Sequence, residues 1–128
     1  MQVYKTASQI LLLTAGGAIG TLLRYFVYVV ADKHFNHALP WGTLIVNLTG
    51  SFAIGVLWGF FDRGGVPPAL RLFVFIGILG SFTTFSTFAF DSVQLLNRAG
   101  AASLLLNVLL NNLGGLILCY AGILLTSR

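Results

Sequence analysis

Long apolar runs alternate with short polar segments along this chain, and the pattern predicts four membrane-spanning helices. The runs cover about residues 8–30, 41–61, 69–96 and 101–125. A helix rises about 1.5 Å per residue and the hydrocarbon core of a bilayer is about 30 Å thick, so each run is long enough to cross it. The first run is too long for a signal peptide and is interpreted as a retained helix. We therefore predict an all-α, multi-pass protein of the cell (inner) membrane.

The polar segments between the runs are short, which predicts a compact bundle. Residues 62–68 contain Gly64, Gly65, Pro67 and Pro68, a strong signal for the end of a helix. We therefore expect one transmembrane domain over residues 1–128, lying in the lipid bilayer, with no separate soluble domain.

Glycines recur four residues apart in two of the runs, at Gly16 and Gly20 and at Gly55 and Gly59. Small residues at this spacing let helix backbones approach each other in a membrane. The pattern predicts close helix contacts but indicates no function.

Composition supports the membrane assignment and excludes some partners. Charged residues make up 8% of the chain, against about 25% in soluble domains. The seven Lys and Arg residues are scattered and form no basic run. We therefore expect no nucleic-acid partner.

The cations are almost evenly divided between the two sides of the predicted bundle. Cytoplasmic loops normally carry an excess of Lys and Arg, which fixes the orientation of a membrane protein. Two oppositely inserted copies would form an antiparallel, dual-topology homodimer, whereas the alternative is one orientation with a weak signal. Charge alone leaves both open: Lys5, Arg63, Arg71 and Arg128 fall on the side of the termini, and Arg24, Lys33 and Arg98 on the other.

The third run contains an unusual mixture of hydroxyls and phenylalanines, since residues 80–90 read GSFTTFSTFAF. Hydrocarbon offers no water to satisfy hydroxyls, so they should face protein or a polar path. Phe82, Phe85 and Phe88 share a helix stripe, which usually means packing, but the positive edge of an aromatic ring can also contact an anion. Gly77, Gly80 and the hydroxyls also favour a break in the third helix at mid-membrane.

Neutral amides occur in the second and fourth runs, at Asn47, Asn107 and Asn111. N–H donors without a charge suit an anion in a narrow passage. The alternative is that these amides form hydrogen bonds that hold the helices together.

Enzyme chemistry has little support in this sequence, and we expect no catalytic residue. No nucleophile elbow, paired carboxylates or metal-ligand pattern is present, and His34 and His37 lack further ligands. Cys119 lies in an apolar run and is expected to pack as a small hydrophobe.

Three motifs together resemble the Fluc (CrcB) fluoride channel family, over essentially the whole chain. They are GGAIGTLLRY at residues 16–25, WGTLIVNLTGSF at 41–52 and GILGSFTTFSTF at 77–88. The resemblance implies a dual-topology homodimer with two pores, through which fluoride leaves the cytoplasm by passive electrodiffusion. This relieves fluoride toxicity.

The resemblance also implies roles for residues of the pore. The ring edges of Phe85 and Phe88 would contact fluoride, and Asn47 would support the pore. Ser86 and Thr87 would belong to a polar track beside the rings. On the fourth helix the family usually has Ser or Thr where this chain has Asn107 and Asn111, and Asn111 is assigned to the lining.

Further implied sites lie at the dimer centre and at the pore mouth. The third helix would break near residues 80–83, where the carbonyls of Gly80 and Thr83 from both subunits would bind one structural Na⁺. Arg24 would lie near the aqueous vestibule. Asp91 occupies a position that is often Glu in the family, so its role is left open.

Two other functions compete with a channel. A small dual-topology, proton-coupled exporter would want an essential acid in the first span, and residues 6–31 contain none. A membrane scaffold explains the glycines but gives no reason for the hydroxyls and asparagines.

Overall fold

Four helical spans form the molecule, as the hydrophobic pattern predicts. The computed structural model describes residues 2–126 of the 128, with side chains from residue 6 onward. Lys5 and Arg128, which the sequence analysis assigned to the side of the termini, therefore lie outside the described side chains. All four spans are long and apolar enough to cross a membrane, and the described residues contain no strand. The spans are Gln2–His34, Trp41–Asp62, Pro68–Ala99 and Ala101–Thr126.

The third span is interrupted, and the interruption lies slightly later than the sequence predicts. An α-helical turn and a π-helical stretch lead to a last helical turn at Gly80–Phe82, and a new helix starts at Phe85. The break overlaps the predicted residues 80–83 only at Thr83, because Gly80 keeps helical angles of φ −63° and ψ −31°. The helix stops at Thr83 and Thr84, whose backbones are extended.

The first and third spans lie side by side and run in the same direction, with glycines at their contact. A Cβ atom on Gly16 would meet the Phe73 carbonyl oxygen at 2.8 Å and the Gly77 Cα at 2.9 Å. One on Gly20 would collide with the Ile78 carbonyl. Only glycine permits this approach, so the predicted close packing of the first helix is confirmed.

The second and fourth spans form a similar parallel pair. A Cβ on Gly55 would collide with the Cys119 carbonyl oxygen, and one on Gly122 would meet the Val56 nitrogen at 2.7 Å. A Cβ on Gly59 would collide with the Thr126 side chain. Because successive spans alternate in direction, Gln2 at the start of the first span and Thr126 at the end of the fourth lie on the same side of the bundle.

A single residue connects the third and fourth spans. Gly100 has φ +86°, a conformation that favours glycine, and its N–H donates to the Leu96 carbonyl at 3.1 Å. This tight connection places the helix Phe85–Ala99 antiparallel to the helix Ala101–Leu109. The two helices are therefore close enough for a buried hydrogen bond between Asn107 and Ser92.

Candidate functional site

The break in the third span is bridged by one asparagine side chain. Thr84 has φ −151° and ψ 121°, so its backbone groups cannot continue the helical hydrogen bonds. Asn47 Oδ1 accepts from the Thr84 N–H at 2.9 Å, and Asn47 Nδ2 donates to the Thr84 carbonyl at 3.1 Å. The amide thus satisfies both backbone groups in a region where hydrocarbon would leave them unpaired.

Two carbonyls lose their regular helical partners at the break. The Thr84 N–H, which an unbroken helix would direct to the Gly80 carbonyl, goes to Asn47. The Thr87 N–H, which would go to the Thr83 carbonyl, goes to Thr84 Oγ1 at 3.2 Å. The carbonyls of Gly80 and Thr83 are therefore released from α-helical bonding.

A cleft of about 330 Å³ opens beside the break. It contains six of the residues that the sequence assigns to the site, and none of its lining side chains is charged. The Phe85 and Phe88 rings lie 5.6 Å apart between centroids, at 54° to each other. The six residues are Asn47, Gly80, Thr83, Phe85, Phe88 and Asn111.

The hydroxyls of Ser86 and Thr87 both lie beside the hydroxyl of Thr84, with Ser86 Oγ 3.5 Å from Thr84 Oγ1. Thr87 lines a second cleft of about 460 Å³, whereas Ser86 is exposed and lines neither cleft. Thr84 Oγ1 donates to Thr87 Oγ1 at 3.0 Å, so hydroxyl groups connect the two clefts. Arg24 is half-buried on the first helix and also lines neither of them.

Asp91 lies in the second cleft and is bonded to Thr43, which in turn contacts Tyr28, and the sequence reasoning missed both of these residues. Thr43 Oγ1 donates to Asp91 Oδ2 at 2.6 Å, and the Tyr28 hydroxyl lies 3.1 Å from Thr43 Oγ1. Thr43 is 2% exposed and precedes Asn47 by four residues, one helical turn. That spacing on one helix face was the available signal.

The asparagines of the fourth span are bonded to neighbours rather than directed into open space. Asn47 Nδ2 donates to Asn111 Oδ1 at 3.0 Å, and Asn111 Nδ2 donates to Asn107 Oδ1 at 3.0 Å. Asn107 is completely buried. Of the two interpretations of these amides, hydrogen bonds between helices therefore account for their donors in this conformation.

Comparison with known proteins agrees with the resemblance in the motifs. The sequence model of the family described as "CrcB-like protein, Camphor Resistance (CrcB)" matches residues 11–123. The chain belongs to the CrcB family. Membership and the four spans together make it a multi-pass protein of the bacterial cell membrane.

Relatives of this CrcB chain share its length as well as its sequence. A protein of Nitrobacter winogradskyi named "Fluoride-specific ion channel FluC" is 42% identical over 112 residues, covering 84% of this chain and 89% of the relative. A protein of the same name from Parabacteroides distasonis is 40% identical over 117 residues and covers 91% of each chain. One from Shewanella amazonensis is 40% identical over 112 residues, covering 88% of this chain and 87% of the relative.

Proposed function

We propose that this protein is a channel that lets fluoride leave the cytoplasm passively, down its electrochemical gradient. The three relatives described above all carry the name of a fluoride-specific ion channel and match most of this chain. The protein is therefore a channel-family member and not an enzyme. Passive conduction is the part of the proposal that rests on the chemistry of the site.

The observation that carries the proposal is the uncharged cleft at the helix break. Phe85 and Phe88 supply aromatic edges, and the remaining lining is apolar or neutral and polar. Fluoride holds its water tightly, so a passage must replace that water with other favourable contacts. Ring edges and neutral dipoles do this without a fixed positive charge that would hold the ion in place.

The ion's route continues from this cleft into the second one. Thr84 and Thr87 lie between the clefts and are joined by their hydroxyls. The second cleft also contains the hydroxyls of Tyr28 and Thr43 and the carboxylate of Asp91. We expect hydrated fluoride to enter here and to lose water as it passes the threonines.

A second copy of the chain completes the proposed pathway. Phe85 is 77% exposed although it lines the cleft, and Gly80 is exposed beside it. A backbone carbonyl that is released from helical bonding and left open in this way calls for a cover of protein. The nearly balanced cations are compatible with an antiparallel partner, and an antiparallel homodimer of this kind would contain two equivalent pathways.

A structural Na⁺ at the dimer centre is consistent with the local backbone. The carbonyls of Gly80 and Thr83 are released from helical bonding, and carbonyl oxygen is a ligand that suits a hard cation. Two oxygens are too few for one ion, so the partner subunit would supply two more. The bound Na⁺ would offset the repulsion between the facing carbonyls.

The test is fluoride efflux from liposomes that contain the purified protein. We expect efflux in fluoride and potassium gradients alone, without a proton gradient, and much slower efflux of chloride. A fluoride-selective electrode measures the first and a chloride electrode the second. Efflux that requires an imposed proton gradient would instead support the exporter, with Asp91 as the group that carries the proton.

The same liposomes provide the control for sodium. Replacing Na⁺ on both sides with a large organic cation removes the proposed central ion but leaves the fluoride gradient unchanged. We expect efflux to decrease and to return when Na⁺ is restored. Unchanged efflux after exhaustive removal would contradict the sodium site but leave the channel intact.

A further inference from the structure

A one-way chain of hydrogen bonds runs through three of the spans and returns to its starting helix. Each asparagine in it accepts through its oxygen and donates through its nitrogen. It begins at the Thr84 N–H and ends at the Phe88 carbonyl. In order, its members are Thr84, Asn47, Asn111, Asn107, Ser92 and Phe88, with donor–acceptor distances of 2.9, 3.0, 3.0, 3.0 and 2.7 Å.

The last part of this chain is the most deeply buried. Asn107 is 0% exposed and Ser92 is 5% exposed, and the neighbouring Leu95 is 1% exposed. Asn107 Nδ2 donates to Ser92 Oγ at 3.0 Å, and Ser92 Oγ donates to the Phe88 carbonyl at 2.7 Å. Hydrogen bonds aligned in one direction polarise one another, and a buried polar group without a partner costs free energy. The position of the Phe88 backbone is therefore tightly defined.

The two phenylalanines of the cleft differ in this respect. Phe88 is 8% exposed and bonded through Ser92 to the fourth span, whereas Phe85 is 77% exposed and has no such bond to its carbonyl among the described residues. A passage selects a small ion over a larger one only while its walls keep their spacing. Of the two rings that line the cleft, Phe88 is therefore the one whose position is fixed by hydrogen bonds within the chain.

We propose that Ser92 and Asn107 are positioning residues that hold Phe88 in place and thereby set the discrimination between fluoride and larger anions. This inference rests on the proposed fluoride channel. Neither side chain lines the cleft, so both act through Phe88 and not by contact with the ion. Without the hydrogen bonds of Ser92 and Asn107, the Phe88 ring could move outward. The wider site would favour chloride, whose radius is larger than that of fluoride.

The experiment compares fluoride and chloride efflux from liposomes for Ser92→Ala, Asn107→Leu and the double variant. We expect each single variant to lower the ratio of fluoride to chloride efflux about tenfold, which corresponds to a change of about 1.4 kcal/mol in the difference between the barriers for the two ions. The double variant should match the single variants, because both break one chain. Ser103→Ala is the matched control, since Ser103 also donates to the carbonyl four residues earlier, at 3.5 Å, but is not part of the chain.

The ratio separates positioning from stability, because a protein that is merely less stable loses both fluxes in proportion. A ratio equal to that of the unaltered protein would overturn the proposal. An independent measurement uses ¹⁹F NMR of 4-fluorophenylalanine placed at position 88. We expect one narrow resonance in the unaltered protein and a broadened or split one in Ser92→Ala. Equal line shapes would overturn the inference even if fluoride conduction itself failed.

Discussion

At the scale of single residues, two phenylalanines three positions apart have different surroundings. Phe88 is buried within its own chain, and Phe85 projects from it with 77% of its surface exposed. Replacing Phe88 removes internal packing as well as any contact with an ion, whereas replacing Phe85 leaves the packing of the chain nearly unchanged. Phe85 is therefore the cleaner probe of the ring-edge contact.

We expect Phe85→Ile to slow fluoride efflux at least about tenfold while the chain stays folded in detergent, because an aliphatic side chain has no positive edge. Phe88→Ile should slow efflux too, but also destabilise the protein by about 1–3 kcal/mol. Phe26→Ile is the control, since Phe26 is 65% exposed and lines neither cleft. Normal efflux in both cleft variants would remove the role of the ring edges.

At the scale of helices, the interrupted third span depends on its neighbours. The break leaves backbone groups unpaired, and Asn47 on the second helix satisfies those of Thr84. The second helix is in turn held against the fourth span through Gly55 and Gly122. Packing at these glycines therefore determines where Asn47 lies relative to the break.

We expect Gly55→Ala to reduce the yield of folded protein sharply, and to destabilise it by about 2–3 kcal/mol, because the new Cβ collides with the backbone carbonyl of Cys119. Gly17→Ala is the matched control in another helix. Its Cβ would meet only Ser81 Oγ at 3.4 Å, an ordinary contact, so stability should not change. Size-exclusion chromatography and thermal unfolding in detergent measure both, and equal behaviour of the two variants would contradict this packing argument.

At the scale of the whole molecule, the charged groups are few and several are bonded to helix ends. Arg63 donates to the Thr126 carbonyl and Arg71 to the Phe61 carbonyl, on the side of the termini. On the other side, Arg98 donates to the His37 carbonyl at 2.9 Å. Cations near helix C-termini are favoured by the helix dipole. In the sequence, four cations on one predicted side against three on the other give no large excess that would fix one orientation.

The proposed dual topology predicts labelling from both sides of the membrane. A single cysteine at Ala38→Cys, in the exposed loop after the first helix, is introduced with Cys119→Ala to remove the native thiol. We expect a membrane-impermeant maleimide to label about half of the protein in intact cells and all of it after lysis. Complete labelling or none in intact cells would indicate a single orientation.

The sequence by itself predicted the four spans, the interruption of the third and the close packing of glycines. These follow from local properties: the length of apolar runs, and the absence of a Cβ at fixed helical spacing. It also named six residues of the cleft, because hydroxyls, amides and aromatic rings are conspicuous in a chain that is 57% hydrophobic. The family motifs added the remaining assignments.

Only the tertiary structure decided which of these residues meet. The break falls at Thr83 and Thr84, at the end of the predicted residues 80–83, because Asn47 on another helix supplies the hydrogen bonds that permit it there. Thr87 lines the second cleft and Ser86 lines neither, since consecutive residues of a helix point in directions about 100° apart. Ser92 was not distinguished from other serines by the sequence. Its role depends on Asn107, and that contact forms only when the third and fourth spans fold together at Gly100.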